Sequence, residues 1–154
     1  MTRDGYLKAN NILFWLVVLV AAGIIFIGVR FIVSPHVGAT GFGVPAAENQ
    51  TFAYLWAKGT RDIVYGLLLI VFLWLKVSRR VLAAFMFVAS LVPIGDMLNV
   101  YASVGASNLA ALMIHGGTAL FMIMLATFLL RRSPGAKVPN GTSKTVEVRP
   151  TQAA

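Results

Sequence analysis

Four long apolar stretches, separated by short polar or Gly/Pro-rich segments, dominate the hydrophobic pattern of this chain. Each stretch is as long as the run of about 20 residues that an α-helix needs to cross the hydrocarbon core of a bilayer. The pattern therefore predicts four transmembrane helices, over residues 11–33, 51–76, 81–101 and 108–130.

The segments around these helices are more polar. We expect residues 1–10 to be a cytoplasmic N-terminus, residues 11–132 to be the transmembrane domain, and residues 133–154 to be a disordered cytoplasmic tail. Thr51 is suited to cap the second helix at its N-terminus.

Two features break the apolar pattern in an informative way. Three glycines and two prolines between Ser34 and Pro45 argue against a regular helix, so we expect an ordered cap or a shallow re-entrant loop. In the third helix, Pro93 lacks a backbone donor and is expected to kink the helix just before Asp96.

Composition supports a membrane protein over a soluble one. The chain is 58% hydrophobic and only 12% charged, and its mean hydropathy is +0.82. Soluble domains carry about 25% charged residues. The absence of cysteine excludes a disulfide framework and a cysteine metal site.

The net charge of +8 is best explained by membrane orientation. Most basic residues lie beside the apolar stretches and on one side of them, which predicts that both termini are cytoplasmic. These residues are Arg3, Lys8, Lys76, Arg79, Arg80, Arg131, Arg132 and Lys137. The expected fold is an all-α, multi-pass, integral membrane four-helix bundle, N-in/C-in, whose partner is the lipid bilayer and not nucleic acid.

Ionisable residues on three of the helices fall at a common depth. At about 1.5 Å per residue, Asp62 lies roughly 21 Å from the cytoplasmic end of its helix, and Asp96 and His115 each lie roughly 24 Å from theirs. Charged groups in a bilayer are costly when they face lipid, so we expect the three to face each other. Arg61, Asn99 and Tyr65 lie within a turn of this level, and Arg30 lies slightly above it.

This polar layer has a functional and a structural interpretation. In the first, Asp62 and Asp96 are the acid and base, and His115 is the proton partner; the binding residues are Arg30, His36, Phe42, Lys58, Arg61, Tyr65 and Asn99. Asp96 is favoured as the perturbed carboxyl group, the general acid or base, because its own helix carries no basic neighbour, whereas Asp62 would stay ionised beside Arg61. In the second interpretation, the same residues form ion pairs and cross-helix hydrogen bonds that fix the packing.

Several short motifs resemble one family. They are Ser34-Pro35 with Gly41-Phe42-Gly43-Val44-Pro45, Lys58-Gly59-x-Arg61-Asp62-Ile63 with Gly66, Pro93-x-Gly95-Asp96-x-x-Asn99, and His115-Gly116-Gly117. Together, over roughly residues 11–130, they resemble the small four-helix membrane proteins of domain of unknown function 4267. A looser likeness to DoxX-like membrane proteins concerns the fold alone. The resemblance implies an architecture and no reaction.

Three functions remain open on the sequence. The first is a pocket, open to the outer face, that binds a small lipophilic molecule and transforms it by acid–base chemistry of the isomerase, cyclase or hydrolase type. The second is a non-catalytic scaffold or accessory subunit. The third is proton-coupled transport, which is disfavoured because the cytoplasmic halves of the helices offer no polar path. No metal site or cofactor is expected, and the oligomeric state is open, with a homo-oligomer among the alternatives.

Overall fold

The computed structural model describes residues 5–46 and 52–131, and within these ranges the regular structure is entirely helical. The helices are α1 (Ile12–Val33), α2 (Pro35–Phe42), α3 (Ala53–Trp74), α4 (Arg79–Ala89), α5 (Leu91–Val104) and α6 (Leu109–Leu130), with a 3₁₀ turn (Gly105–Asn108) before α6. The all-α fold class is confirmed. The proposed cap at Thr51 and the tail over residues 133–154 lie outside the described residues.

Helices α1 and α3 form a close antiparallel pair through glycine. A Cβ on Gly28 would lie 2.6 Å from the carbonyl oxygen of Gly59, and a Cβ on Gly59 would lie 2.6 Å from that of Gly28. One end of the contact is fixed by Gly66, whose Cβ would lie 2.7 Å from the carbonyl oxygen of Ala21. Small residues thus allow the two backbones to approach each other without intervening side chains.

The third long helical segment is interrupted where the sequence predicts a kink. α4 ends at Ala89, Ser90 separates it from α5, and Pro93 lies in the first turn of α5. Proline has no amide to donate to the carbonyl four residues earlier, and its ring crowds that carbonyl, which here belongs to Ala89. The segment also begins earlier and ends later than the sequence predicts, at Arg79 and Val104.

The expectation that residues 34–45 contain no regular helix is wrong. Pro35 begins α2, and Gly43 follows its last residue with φ +104°. Proline is well tolerated at the first helical position, and glycine readily adopts the left-handed conformation that ends a helix. The two residue types therefore mark the ends of a short helix.

Two apolar clusters hold the helices together. The larger one joins the first half of α1, the second halves of α3 and α6, and α4, through residues that include Val17, Leu69, Met86 and Leu125. The smaller one contains Phe31, Ala39 and Leu55 and packs α2 on the ends of α1 and α3. α1 packs chiefly on α3, and α6 chiefly on α4 and α5, whereas α1 and α6 share little surface.

The outer surface of the described residues is strongly apolar. By length and composition, two segments could cross a membrane: α1 has a mean hydropathy of 3.0, and the segment Arg79–Leu130, which contains α4, α5 and α6, has 2.1. Only 22% and 33% of these windows are buried inside the protein. Most residues of these windows therefore keep some exposed surface.

Candidate ligand-binding cavity

An ion-paired cluster centred on Lys58 joins α3 to α5. The Lys58 Nζ lies 2.8 Å from Asp62 Oδ2 and 3.2 Å from Asp96 Oδ2. The Nη2 of Arg61 lies 3.2 Å from Asp62 Oδ1 and 3.7 Å from Asp96 Oδ1. Each carboxylate therefore contacts both cations, and the four charges balance.

Aromatic rings complete the surroundings of the Lys58 ammonium. Its Nζ lies 4.8 Å from the ring centroid of Phe31 and 5.0 Å from that of Phe42. Both distances suit a cation–π interaction. Lys58 is thus in contact with side chains from α1, α2, α3 and α5.

The sequence reason for favouring Asp96 as the perturbed carboxyl group considers only the helix that carries it. Its own helix indeed offers no basic neighbour, but α3 places both Lys58 and Arg61 within 4 Å of it. Asp62 is the more buried of the two, with a side chain 5% exposed against 16% for Asp96. The two carboxylates are equivalent in their ionic partners and differ mainly in burial.

His115 fixes the cap formed by α2. Its Nε2 lies 2.9 Å from the carbonyl oxygen of Phe42, and the two rings lie 4.9 Å apart. A carbonyl accepts and cannot donate, so this nitrogen carries the hydrogen, and in the neutral ring Nδ1 keeps its lone pair. His115 therefore bonds across helices to α2, and the hydrogen bonds of the described residues include none between His115 and Asp96.

A second contact ties the end of α2 to the start of α6. The Asn108 side-chain amide donates to the carbonyl oxygen of Gly43 at 3.3 Å, and its Oδ1 accepts from the amide of Ala111, the first-turn bond that caps α6. A Cβ on Gly43 would lie 2.5 Å from the Cβ of Ala111. The last residues of α2 are thus held at two points on α6.

A cavity of about 150 Å³ lies between the helices beside the Lys58 cluster. Its polar wall contains Arg30, Lys58, Asp62, Tyr65, Asp96 and His115. Phe42 closes it on the α2 side, and its remaining walls are mainly apolar, formed by residues such as Ile24, Ile27, Val92, Ile114 and Met122. The cavity combines a charged end with a hydrocarbon-like end.

Three of the sequence-predicted residues do not line this cavity. His36 lies on the exposed side of α2, with its ring 4.7 Å from that of Phe52. Asn99 is exposed and accepts a hydrogen bond from Ser103 at 3.4 Å. Arg61 belongs to the ionic cluster but approaches it from the outside, with 41% of its side chain exposed.

Sequence reasoning missed the apolar walls of the cavity. A usable signal was present: Ile24, Ile27 and Phe31 follow helical spacing on α1 at the level of the polar layer, and Ile114, Thr118 and Met122 do so on α6. In a chain this rich in apolar residues, however, the same spacing occurs on every face of these helices. Only the packing of α1 on α3, and of α6 on α4 and α5, shows which faces turn inward.

The described residues contain no group of three or more His, Asp or Glu side chains placed to hold a metal ion. Both carboxylates are instead paired with Lys58 and Arg61. The chemistry that this arrangement offers is therefore recognition of a polar group by charged and hydrogen-bonding side chains beside an apolar space.

Comparison with known proteins identifies a family. No curated protein and no solved structure matches this chain, and the looser likeness to DoxX-like proteins is not shown. The family model of a domain of unknown function, DUF4267, matches residues 21–129, which include all the helices described here except the start of α1 and the last residue of α6. The chain belongs to the DUF4267 family.

Proposed function

We propose that this protein is a multi-pass membrane protein, with both termini cytoplasmic, whose cavity binds a small lipophilic molecule with a polar group. The observation that carries the proposal is the cavity itself, which places an ion-paired, hydrogen-bonding wall against an apolar one. Ligand sites commonly have this character, with mostly apolar walls and a few polar groups that fix orientation.

The exposed apolar surface supports the membrane assignment. Large side chains such as Trp74 and Val33 are 78% and 74% exposed, and exposed apolar residues continue along every long helix. Monomeric soluble proteins rarely expose contiguous apolar patches larger than a few hundred Å². Lipid would cover this surface, and the basic residues at one end of the bundle would face the cytoplasm.

The arrangement supports binding better than acid–base transformation. A general acid or base must exchange a proton with its substrate over hydrogen-bond distance. Asp62 and Asp96 already contact two cations each. In the cavity wall, the groups left to meet a ligand are Arg30, the Tyr65 hydroxyl and Nδ1 of His115.

One observation favours a scaffold as the second candidate function. Lys58 alone contacts side chains from four helices, which is the arrangement expected of a polar layer that holds a bundle together. A scaffold needs no cavity, however. Filling the cavity therefore separates the two functions.

The test is to fill the cavity with Ala89→Leu. Ala89 is 7% exposed and lines the cavity, whereas Ala84 lies on the same helix, is exposed and does not line it, so Ala84→Leu is the matched control. Each protein is purified in mild detergent, and the bound small molecules are extracted and identified by mass spectrometry. We expect a molecule that the wild type and Ala84→Leu retain and that Ala89→Leu loses.

Equal occupancy in all three proteins, or no bound molecule in any of them together with a higher melting temperature for Ala89→Leu, would contradict the binding proposal. The second result would favour the scaffold, because a filled cavity stabilises a protein that has no use for the space.

A further inference from the structure

The exposed residues of the cavity wall define where the cavity reaches the surface. The exposed wall residues are Ile27 and Arg30 on α1, Gly41 on α2, and Ile114 and Thr118 on α6. The wall residues from α3, α4 and α5 are buried or half-buried. The cavity therefore has a side mouth between α1 and α6, the two long helices that share little surface.

The mouth lies below the helix ends and has an apolar rim. Ile27 precedes the end of α1 by six residues and Ile114 follows the start of α6 by five, which at 1.5 Å per residue is about 8–9 Å inside the bundle. Ile27 and Ile114 are 47% and 60% exposed. In the proposed membrane orientation, this mouth faces the hydrocarbon of the outer leaflet.

Arg30 lies at this mouth and is not part of the ion-paired cluster. Among the described residues, both carboxylates near the cavity are paired with Lys58 and Arg61, and Arg30 forms no ion pair. The cavity and its ionic cluster together hold three cations and two carboxylates, an excess of one positive charge. The terminal guanidinium nitrogens of Arg30 lie 3.3 Å from the position of a Cβ on Gly41, so the absence of a side chain there leaves room for the guanidinium.

The size of the cavity limits what can enter it. A closed apolar cavity of about 150 Å³ holds a benzene-sized molecule. A polar head with the first few carbons of a chain fits this space, whereas the glycerol backbone of a two-chain lipid does not. The rest of a longer ligand must leave through the side mouth.

We propose that the ligand is a long-chain carboxylate that enters sideways from the bilayer between α1 and α6, with its head at Arg30 and its chain passing between Ile27 and Ile114. This inference rests on the proposed function and names its ligand class. The guanidinium matches a carboxylate in two-pronged geometry, and a single negative charge balances the excess. A phosphate monoester, which carries about −1.5 to −2 at neutral pH, would overcompensate it.

The head group is tested on the full-length protein in detergent with radiolabelled palmitate. Hexadecanol is the neutral comparator, and hexadecyl phosphate is the comparator for a second kind of oxyanion. We expect palmitate to bind more tightly than either. Arg30→Gln should weaken palmitate binding by about tenfold or more, the loss typical of one charge-assisted interaction, and should weaken hexadecanol binding much less.

Arg131→Gln is the matched control for charge. Arg131 is exposed at the opposite end of the bundle, 4.8 Å from the ring of Phe128. Arg131→Gln should bind palmitate as tightly as the wild type does. Equal binding of hexadecanol and palmitate by the wild type, tighter binding of hexadecyl phosphate, or full palmitate affinity in Arg30→Gln would each overturn the proposal.

The side mouth is tested with Ile114→Trp, with Leu120→Trp as its control. Leu120 is 58% exposed on the same helix but does not line the cavity. In vesicles we expect Ile114→Trp to slow palmitate binding by about tenfold, and Leu120→Trp to behave as wild type. Identical rates in the two variants would exclude this entry route.

The Ala89→Leu variant separates this inference from the proposed function. If it abolishes hexadecanol binding while Arg30→Gln has no effect on palmitate, the cavity binds lipophilic molecules but not through a carboxylate, and only the present inference fails. If Ala89→Leu binds both probes as the wild type does, the cavity is not the site and both proposals fail.

Discussion

Lys58 and Arg61 form similar ion pairs but in very different surroundings. The Lys58 side chain is 14% exposed and that of Arg61 is 41% exposed. Removing one partner of a buried ion pair strongly destabilises a protein, because the remaining charge stays buried without compensation. An exposed ion pair contributes little to stability.

This difference predicts unequal effects of two substitutions. Lys58→Met leaves two poorly solvated carboxylates with one partner and is expected to lower the free energy of unfolding by about 3 kcal/mol or more. Arg61→Met is expected to lower it by about 1 kcal/mol or less. Unfolding in mixed detergent micelles measures both, and equal losses would show that the cluster is not buried as described.

Close glycine contacts provide a second prediction at this scale. Gly28→Ala places a Cβ 2.6 Å from a backbone oxygen that cannot move aside, so α1 and α3 must separate, and we expect a loss of about 1–3 kcal/mol. Gly23→Ala, on the same helix with nothing within 4 Å of its Cβ, is expected to be neutral or stabilising by up to about 1 kcal/mol. The same unfolding assay compares the two, and a larger loss in Gly23→Ala would contradict the close packing.

At the scale of the element, α2 acts as a cap that is held on α6 from two directions. His115 bonds to the carbonyl of Phe42, and Asn108 bonds to that of Gly43. α2 has only eight residues, so it depends on such contacts more than the long helices do.

Removing one contact should therefore loosen this helix selectively. His115→Ala is expected to lower the free energy of local opening of α2 by about 1 kcal/mol. The backbone amides of α2 would then exchange roughly fivefold faster. Met113→Ala, on the same helix as His115 but 69% exposed and outside the cavity, is the control. Hydrogen exchange read by mass spectrometry distinguishes them, and unchanged exchange in α2 would mean that His115 does not hold the cap.

The long helices could be predicted from sequence because each apolar run has about the length that a helix needs to cross a bilayer. The character of α2 could not, because Gly38 and Gly41 lower helix propensity, and the compensation comes from packing. A Cβ on Gly38 would lie 2.9 Å from the ring of Phe31, so glycine is required by the neighbouring helix rather than by a turn.

The candidate site was predictable in depth but not in its pairings. Rise per residue places Asp62, Asp96 and His115 at one level. It does not show which side chains reach across, and two of the decisive contacts, Lys58 with Asp96 and His115 with the Phe42 carbonyl, depend on the lateral arrangement of α3, α5, α6 and α2. That arrangement depends on contacts between helices, such as the close approach of α1 and α3 at Gly28 and Gly59, which a single sequence does not report.

At the scale of the whole molecule, the long helices of the described residues form two groups, α1 with α3 and α4–α5 with α6, with the cavity between them. The apolar cluster that contains Met86 and Leu125 joins the two groups at the end opposite the cavity. In the proposed orientation, the 3₁₀ turn before α6 faces outward and the residues after α6 face the cytoplasm.

Because the chain has no cysteine, this orientation can be tested with single introduced thiols. Ser107→Cys lies in the exposed 3₁₀ turn, and Ser133→Cys follows the end of α6 by three residues. We expect a membrane-impermeant maleimide to label Ser107→Cys in intact cells and Ser133→Cys only after permeabilisation. The reverse pattern would invert the proposed topology.

The glycine contact between α1 and α3 also has a consequence for biogenesis. Lys58, Arg61 and Asp62 lie on α3, which is not one of the two segments apolar enough to span a membrane by itself, and each such charge opposes insertion at mid-helix by about 2.5–3.5 kcal/mol. During synthesis, α3 leaves the ribosome before α5 emerges to place Asp96 beside its charges. The helix already in place is α1, and its small-residue surface is the docking site that can receive α3. Gly28 therefore assists the insertion of α3 before it contributes to the stability of the folded protein. Gly28→Ala should produce molecules in which α3 fails to insert, as well as folded molecules of lower stability.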